Sequence, residues 1–157
     1  IKRKLMIEVN VEISSKSWKK EIKSPKEYFK KKLKKISKKV SFLKKKKIVF
    51  TILLTNSLKM KKLNKKFRNN NKPTDVLSFP FFTLNNLKLR TGKKIYLGDI
   101  AISYEIIKHR SKEDNFLIEF DKVWVHGFLH LLGYRHVKNR DYFRMYKTEK
   151  KILNLIY

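Results

Sequence analysis

A chain of 157 residues suits one domain spanning 1–157, long enough for a real core and short for two. With 41% hydrophobic and 13% aromatic residues, a disordered polymer is excluded, and the lack of cysteine excludes disulfides and thiolate metal sites and makes a cytoplasmic location the expectation. No apolar run approaches the ~18 residues that span a bilayer and no signal-peptide core opens the chain, so no membrane association is expected.

The net charge of +28 admits two readings. One is attraction to a polyanion, with RNA the obvious candidate. The other is compositional drift onto a tolerant surface, because runs such as Lys30-Lys31-Lys32, Lys44 to Lys47 and Lys61-Lys62 are scattered.

In chain order, Leu5, Ile7, Val9, Val11 and Ile13 alternate with polar or flexible residues, the period of a half-buried strand. Ser14 to Lys23 reads as a polar connection. Ser24-Pro25-Lys26-Glu27 reads as a helix start, with Ser as N-cap, Pro at N1 and Glu closing a capping box. Phe29, Leu33, Ile36 and Val40 follow at helical spacing, with lysines on the outer face. Ile48 to Leu54 is a continuous apolar run, expected as a strand buried on both sides. Asn56 or Ser57 can cap the next helix, in which Leu58, Leu63 and Phe67 are expected to face inward. That helix should end by Asn69-Asn70-Asn71-Lys72-Pro73, with Arg68 at the junction.

Asp75 to Phe82 is the third predicted strand, and Pro80 argues that its end lies at a sheet edge. A hairpin-like connection around Asn85-Asn86 and Thr91-Gly92 leads to the fourth, Ile95 through Ile102. Ser103 begins a short helix containing Ile106 and Ile107. Asp114 to Leu132 is a longer apolar helix. The last helix, Asn139 to Tyr157, should bury Phe143, Met145, Ile152 and Ile156. The order predicts an α+β fold, α/β-like in its alternation: a small mixed four-stranded sheet flanked by helices.

Three of the four histidines fall in Val125 to His136. On a helix, His126 and His130 lie about 6 Å apart along the axis and about 40° around it, so both imidazoles leave one face. Gly133 can end the helix in a left-handed conformation and let His136 return over the same point. Three nitrogen ligands with no fourth protein ligand nearby leave room for water, the arrangement of a catalytic zinc site. Metal ligation outweighs simple packing here, because ligand number and helix geometry agree. The spacing His-x-x-x-His-x-x-Gly-x-x-His equals that of metzincin peptidases, but Gly127 stands where those enzymes carry their general-base glutamate. His109, in the polar stretch Lys108 to Ser111, reads as a solvated side chain.

His126 to His136 resembles the H-G-x-L-H-L-x-G-Y-D-H signature of the YbeY family. Leu63-Asn64-Lys65-Lys66-Phe67-Arg68 followed by Pro73-Thr74-Asp75-Val76-Leu77-Ser78-Phe79-Pro80 resembles that family's L-N-x-x-[YF]-R…P-T-D-V-L-S-F-P segment, and Leu97-Gly98-Asp99-Ile100 its L-G-D-I element. The matches keep the family's order over roughly the C-terminal two-thirds of the chain. Arg135 departs from the pattern, replacing the aspartate before the third histidine.

The resemblance implies a single-strand-specific, metal-dependent endoribonuclease of ribosomal RNA maturation, with Arg68 as a catalytic or phosphate-contacting residue. Its implied partner is single-stranded RNA, in ribosomal RNA or on a ribosomal subunit. One Zn²⁺ per chain, held by His126, His130 and His136, would lower the pKa of a water and polarise a phosphoryl oxygen. Thr74, Asp75, Ser78 and Asp99 are open to two readings, shaping the cleft or serving local turn chemistry. Two rival functions remain at this stage: a metzincin-like zinc peptidase, and a ribosome-associated RNA-binding protein whose metal is structural.

Overall fold

The computed structural model of the chain describes residues 6–37, 47–90, 94–112 and 115–157. Leu5, Val40, Lys44 to Lys46, Thr91-Gly92 and Asp114, named above, lie outside the described residues. Its first half runs through β1 (Met6–Ile13), α1 (Trp18–Glu21), α2 (Pro25–Ile36), β2 (Lys47–Thr55) and α3 (Ser57–Arg68). Then come β3 (Val76–Pro80), α4 (Leu84–Leu89), β4 (Lys94–Ser103), α5 (Tyr104–Ser111), α6 (Phe116–Leu131) and α7 (Asn139–Ile156).

The strands make one mixed sheet in the order β1-β2-β4-β3. β1, β2 and β4 are mutually parallel, while β3 pairs antiparallel with β4 at the edge. The apolar run of β2 is therefore central: Ile48, Phe50, Ile52 and Leu54 are fully buried. Pro80 closes the edge strand, where its missing N–H interrupts no ladder further out.

Strand alternation divides the side chains between the sheet faces. Toward one face, Ile100 and Ile102 join the main core with Phe29 and Leu33 of α2, Trp124 and Phe128 of α6, and Ile152 and Ile156 of α7. Toward the other, Leu77 and Ala101 pack with Met60 of α3 in a smaller cluster. At Gly98 an extra residue enters β4 opposite β2, shifting the register between Val49 and Thr51. Gly98 has φ +136°, and a Cβ there would sit 2.2 Å from the Phe79 carbonyl oxygen, so only glycine serves this bulge. The bulge reverses the alternation. Ile95 and Leu97 belong to the main core before it, and Ile100 and Ile102 after it.

Several local expectations are corrected. Ser14 to Lys23 contains the short helix α1, because Trp18 is fully buried and its Nε1 donates to the Thr55 carbonyl at 2.8 Å. Ser24 makes no side-chain cap to α2. In place of a hairpin-like connection, Asn85-Asn86 lie in α4, which Thr83 caps by accepting from the Asn86 N–H at 3.3 Å. In α3 the buried residues are Met60 and Asn64, whereas Leu58 is 65% and Phe67 50% exposed. Met145 is core, as read, but Phe143 faces outward.

Candidate metal centre

Helix α6 packs against β3 and β4 on one side and α7 on the other, and it positions the histidines. Phe120, Val123, Trp124, Phe128 and Leu131 anchor it in the core, which leaves His126 and His130, both half-buried, directed to one side. Gly127 lies beneath them, against the sheet. A Cβ there would meet Ile100 Cγ2 at 3.0 Å, Ser78 Oγ at 3.1 Å and Val76 Cγ2 at 3.2 Å. A residue without a side chain suits so close an approach, and Ser78 Oγ donates to the Gly127 carbonyl at 3.1 Å.

The helix ends in a Schellman motif. The Tyr134 N–H reaches back to the Leu129 carbonyl at 3.0 Å and the Gly133 N–H to the His130 carbonyl at 3.0 Å. Gly133 takes φ +95°, and a Cβ would lie 2.6 Å from Leu84 Cβ of α4. Turn conformation and crowding both require glycine there. The reversal brings His136 back over α6, so that ligand atoms of His126, His130 and His136 all lie within 4.8 Å of one another.

The rings are oriented from behind. His126 Nδ1 lies 2.6 Å from Glu149 Oε1 on α7, and His130 Nδ1 lies 2.8 Å from the Tyr134 carbonyl. Both partners can only accept, so both neutral rings carry their proton on Nδ1. Their bare Nε2 atoms then face each other across 3.1 Å. Two lone pairs so placed repel unless a cation or proton lies between them. With His136 completing a donor set of three imidazoles, the residues fit a metal ion. Burial holds the His130 imidazole below its usual pKa, against the opposite pull of its bond to the Tyr134 carbonyl. That keeps its lone pair available near neutrality.

The histidines form one wall of a cleft of about 480 Å³. Arg68, at the end of α3, also lines it, with Thr74, Ser78 and Tyr134. An Arg68 guanidinium nitrogen donates to the Ser78 carbonyl at 3.0 Å, which ties the end of α3 to β3. Asn64 supports the same corner: its buried amide donates to the Lys72 carbonyl at 2.8 Å, fixing the loop that runs into Thr74. Asp75 also lines the cleft, with its carboxylate engaged by Arg110 at 2.8 Å and by the Val76 N–H at 2.7 Å. Arg135 is exposed at the rim.

Asp99 lies elsewhere. The Gly98 bulge turns it to the α3 face of the sheet, where it accepts from Tyr96 Oη at 2.6 Å and lines a separate hollow with Glu12 and Thr51. Glu149 went unassigned a role in the sequence, since its contact with His126 bridges 23 residues and depends on how α6 and α7 pack.

A profile of the family described as endoribonuclease YbeY matches residues 12–157. The chain belongs to the endoribonuclease YbeY family. Membership makes it a hydrolase acting on RNA. An endoribonuclease YbeY of Pelagibacter ubique is 47% identical over 156 residues, 96% of this chain and 97% of that one. Another, of Ehrlichia ruminantium, is 36% identical over 151 residues, 95% of this chain and 90% of that one. Among solved structures, the solution structure of a Thermotoga maritima protein superposes with a TM-score of 0.62 at 24% identity, over 96% of this chain and 89% of that one. It shares the fold of this YbeY-family chain. Among the described residues, no helix is long and apolar enough to cross a membrane.

Proposed function

We propose that the chain is one cytoplasmic, zinc-dependent domain, residues 1–157, that cuts single-stranded RNA during ribosomal RNA maturation. One zinc ion per chain is held by His126, His130 and His136, and Arg68 serves as the catalytic cation. The observation that carries this reading is the approach of the His126 and His130 Nε2 atoms to 3.1 Å in a cleft that Arg68 also lines. Imidazole donors suit zinc, and three of them leave a coordination position free for substrate or water.

When bound, the metal supplies Lewis acidity toward water and a phosphoryl oxygen. The chain's own groups do the rest. Glu149 accepts the His126 Nδ1 proton and the Tyr134 carbonyl accepts that of His130, so each ring presents its lone pair toward the cleft. Arg68 spends one donor on the Ser78 carbonyl, and its remaining N–H groups offset charge that builds on the phosphate. Exposed lysines hold the flanking backbone.

The peptidase reading loses support at Gly127. A glutamate there would bring its Cβ within 3.0 to 3.2 Å of three sheet side-chain atoms, so the general base of that chemistry could enter only if those side chains gave way.

Incubating the purified chain with single-stranded RNA, duplex RNA and casein, with and without chelator, tests the proposal. Expected is cleavage of single-stranded RNA alone, stopped by chelation and restored by zinc. Casein cleavage, or RNA cleavage that chelation leaves unchanged, contradicts it.

A further inference from the structure

The first turns of α7 carry an unusual surface. Tyr142 is 61%, Phe143 57% and Tyr146 42% exposed, although the same helix buries Met145, Ile152 and Ile156. The Tyr142 and Tyr146 rings are nearly parallel, 7° between planes and 6.5 Å between centroids. Lys147 Nζ stands 4.7 Å from the Phe143 centroid, and Lys150 Nζ 4.7 Å from that of Tyr146. Arg140 and Arg144 are exposed on the same turns. Three large aromatics within five residues, left outside the core, constitute a patch with a use.

Position on the helix connects this patch to the histidines. At about 100° per residue, Tyr142, Tyr146 and Glu149 lie within roughly 60° of one another. Glu149 touches His126, so the tyrosine stripe runs along α7 into the metal centre.

Charge selects the occupant. Between Asn139 and Thr148 the helix carries Arg140, Arg144 and Lys147 against the single acid Asp141. A second copy of a chain with net charge +28 would bring like charges together. A single-stranded nucleic acid supplies both complements, flat bases for the rings and phosphates for the cations.

We propose that Tyr142, Phe143 and Tyr146 form a stacking track that holds unpaired RNA bases beside the metal centre, with Lys147 and Lys150 on the adjoining phosphates. The track deepens the endoribonuclease reading and rests on it for the identity of the strand. It gives a physical basis for acting on single strands, since only unpaired bases can be splayed onto protein rings. These are substrate-positioning residues, removed from the reacting atoms.

Binding by the full zinc-loaded chain is measured by stopped-flow anisotropy before turnover. The ligands are a labelled single-stranded RNA and an abasic ribose-phosphate strand of equal length. Stacking is worth about tenfold in affinity per base. The unaltered chain is therefore expected to prefer the base-bearing strand. Tyr142→Ala with Tyr146→Ala should lose about tenfold or more on that strand alone, and Tyr142→Phe with Tyr146→Phe should bind as the parent does. In cleavage, the alanine pair should raise KM and leave kcat in place. Photo-crosslinking of thiouridine-containing RNA to the unaltered chain, with label recovered on α7 peptides, gives a readout that needs no variant to fold.

Equal loss on both strands, no loss on either, or label recovered only away from α7 overturns the track. So does a change in oligomeric state on sedimentation with RNA affinity unchanged, which would make the patch a self-interface. A base preference that α7 substitution removes, in a chain that cuts no RNA, upholds the track and removes the hydrolytic reading. Cleavage without base preference does the reverse.

Discussion

Glu149 is the residue on which the order of the proposed metal centre turns. It fixes the tautomer and direction of His126 through one 2.6 Å contact, and losing such an orienting partner lowers metal affinity about 10- to 100-fold. Glu149→Ala should weaken zinc binding by that factor in competition with a chelating dye, while Glu149→Gln, which keeps an acceptor oxygen, should recover part of it; equal affinities in all three would show that the contact orients nothing. Arg68 is expected to behave differently. Removing a donor aimed at developing charge costs about 10²- to 10³-fold in rate, so Arg68→Ala should lower kcat by that much with zinc content unchanged. Lost zinc in that variant would make Arg68 a structural residue. The imidazole spacing was legible because helical periodicity alone brings His126 and His130 to one face. The role of Glu149 was not, because a contact between two helices leaves no mark in the local pattern.

Among the elements, the bend after α6 and the bulge in β4 decide where the chemistry sits. Gly133 combines φ +95° with a close approach to Leu84, so Gly133→Ala meets both left-handed strain of about 1–2 kcal/mol and a clash. It should lower the thermal midpoint and displace His136, reducing zinc affinity as well. A variant with both properties intact would show that the bend tolerates a side chain. The bend could be read in advance, because glycine after an apolar helix is a strong stop signal. The bulge could not. Counting alternate residues from Ile95 places Asp99 on the face toward α6, and one inserted residue at Gly98 sends it to the other. The hidden α1 and α4 were missed because each is short and secured by a distant contact, Trp18 on Thr55 and Leu84 beside Gly133. Phe143 met the apolar criterion for the core and instead stands outside it, on the exposed basic and aromatic surface of α7.

Across the whole molecule, Asp121 joins the helical layer to the C-terminal residue. It is fully buried on α6 and accepts from Tyr28 Oη at 2.6 Å, Trp124 Nε1 at 2.8 Å and Tyr157 Oη at 3.0 Å, with Lys32 Nζ also bound. Removing one member of a buried ion pair costs about 3–5 kcal/mol, so Asp121→Ala should destabilise the fold by that order in urea unfolding. A change below about 1 kcal/mol would show the network to be dispensable. Burial, reinforced by the charge and hydrogen bond of Asp121, pushes the Tyr28 hydroxyl well above its usual pKa. The unfolded chain releases that proton near pH 10 and the folded chain holds it. The Tyr28 contribution to folding stability is therefore complete below about pH 10 and is lost as pH rises beyond it, a slope that Tyr28→Phe should reduce. At the acid end the sign reverses. The folded state holds the His130 proton less tightly than the unfolded state, so stability present above about pH 6.5 declines as pH falls.

The charge of +28 left two readings open, and salt dependence separates them. Contacts to phosphate predict a log–log decline of RNA affinity with salt, with a slope of about −0.7 per phosphate neutralised. A flat response would assign the lysines to compositional drift.

The most direct measurement pairs zinc content with RNA cleavage in the purified chain and in its His126→Ala, His130→Ala and His136→Ala variants, with circular dichroism recording the fold. Expected are one zinc per parent chain, and zinc and cleavage lost together in each variant while the helical signal persists. Cleavage that survives the loss of these imidazoles, or a parent chain that binds no zinc and still cuts RNA, would contradict a catalytic metal at this centre.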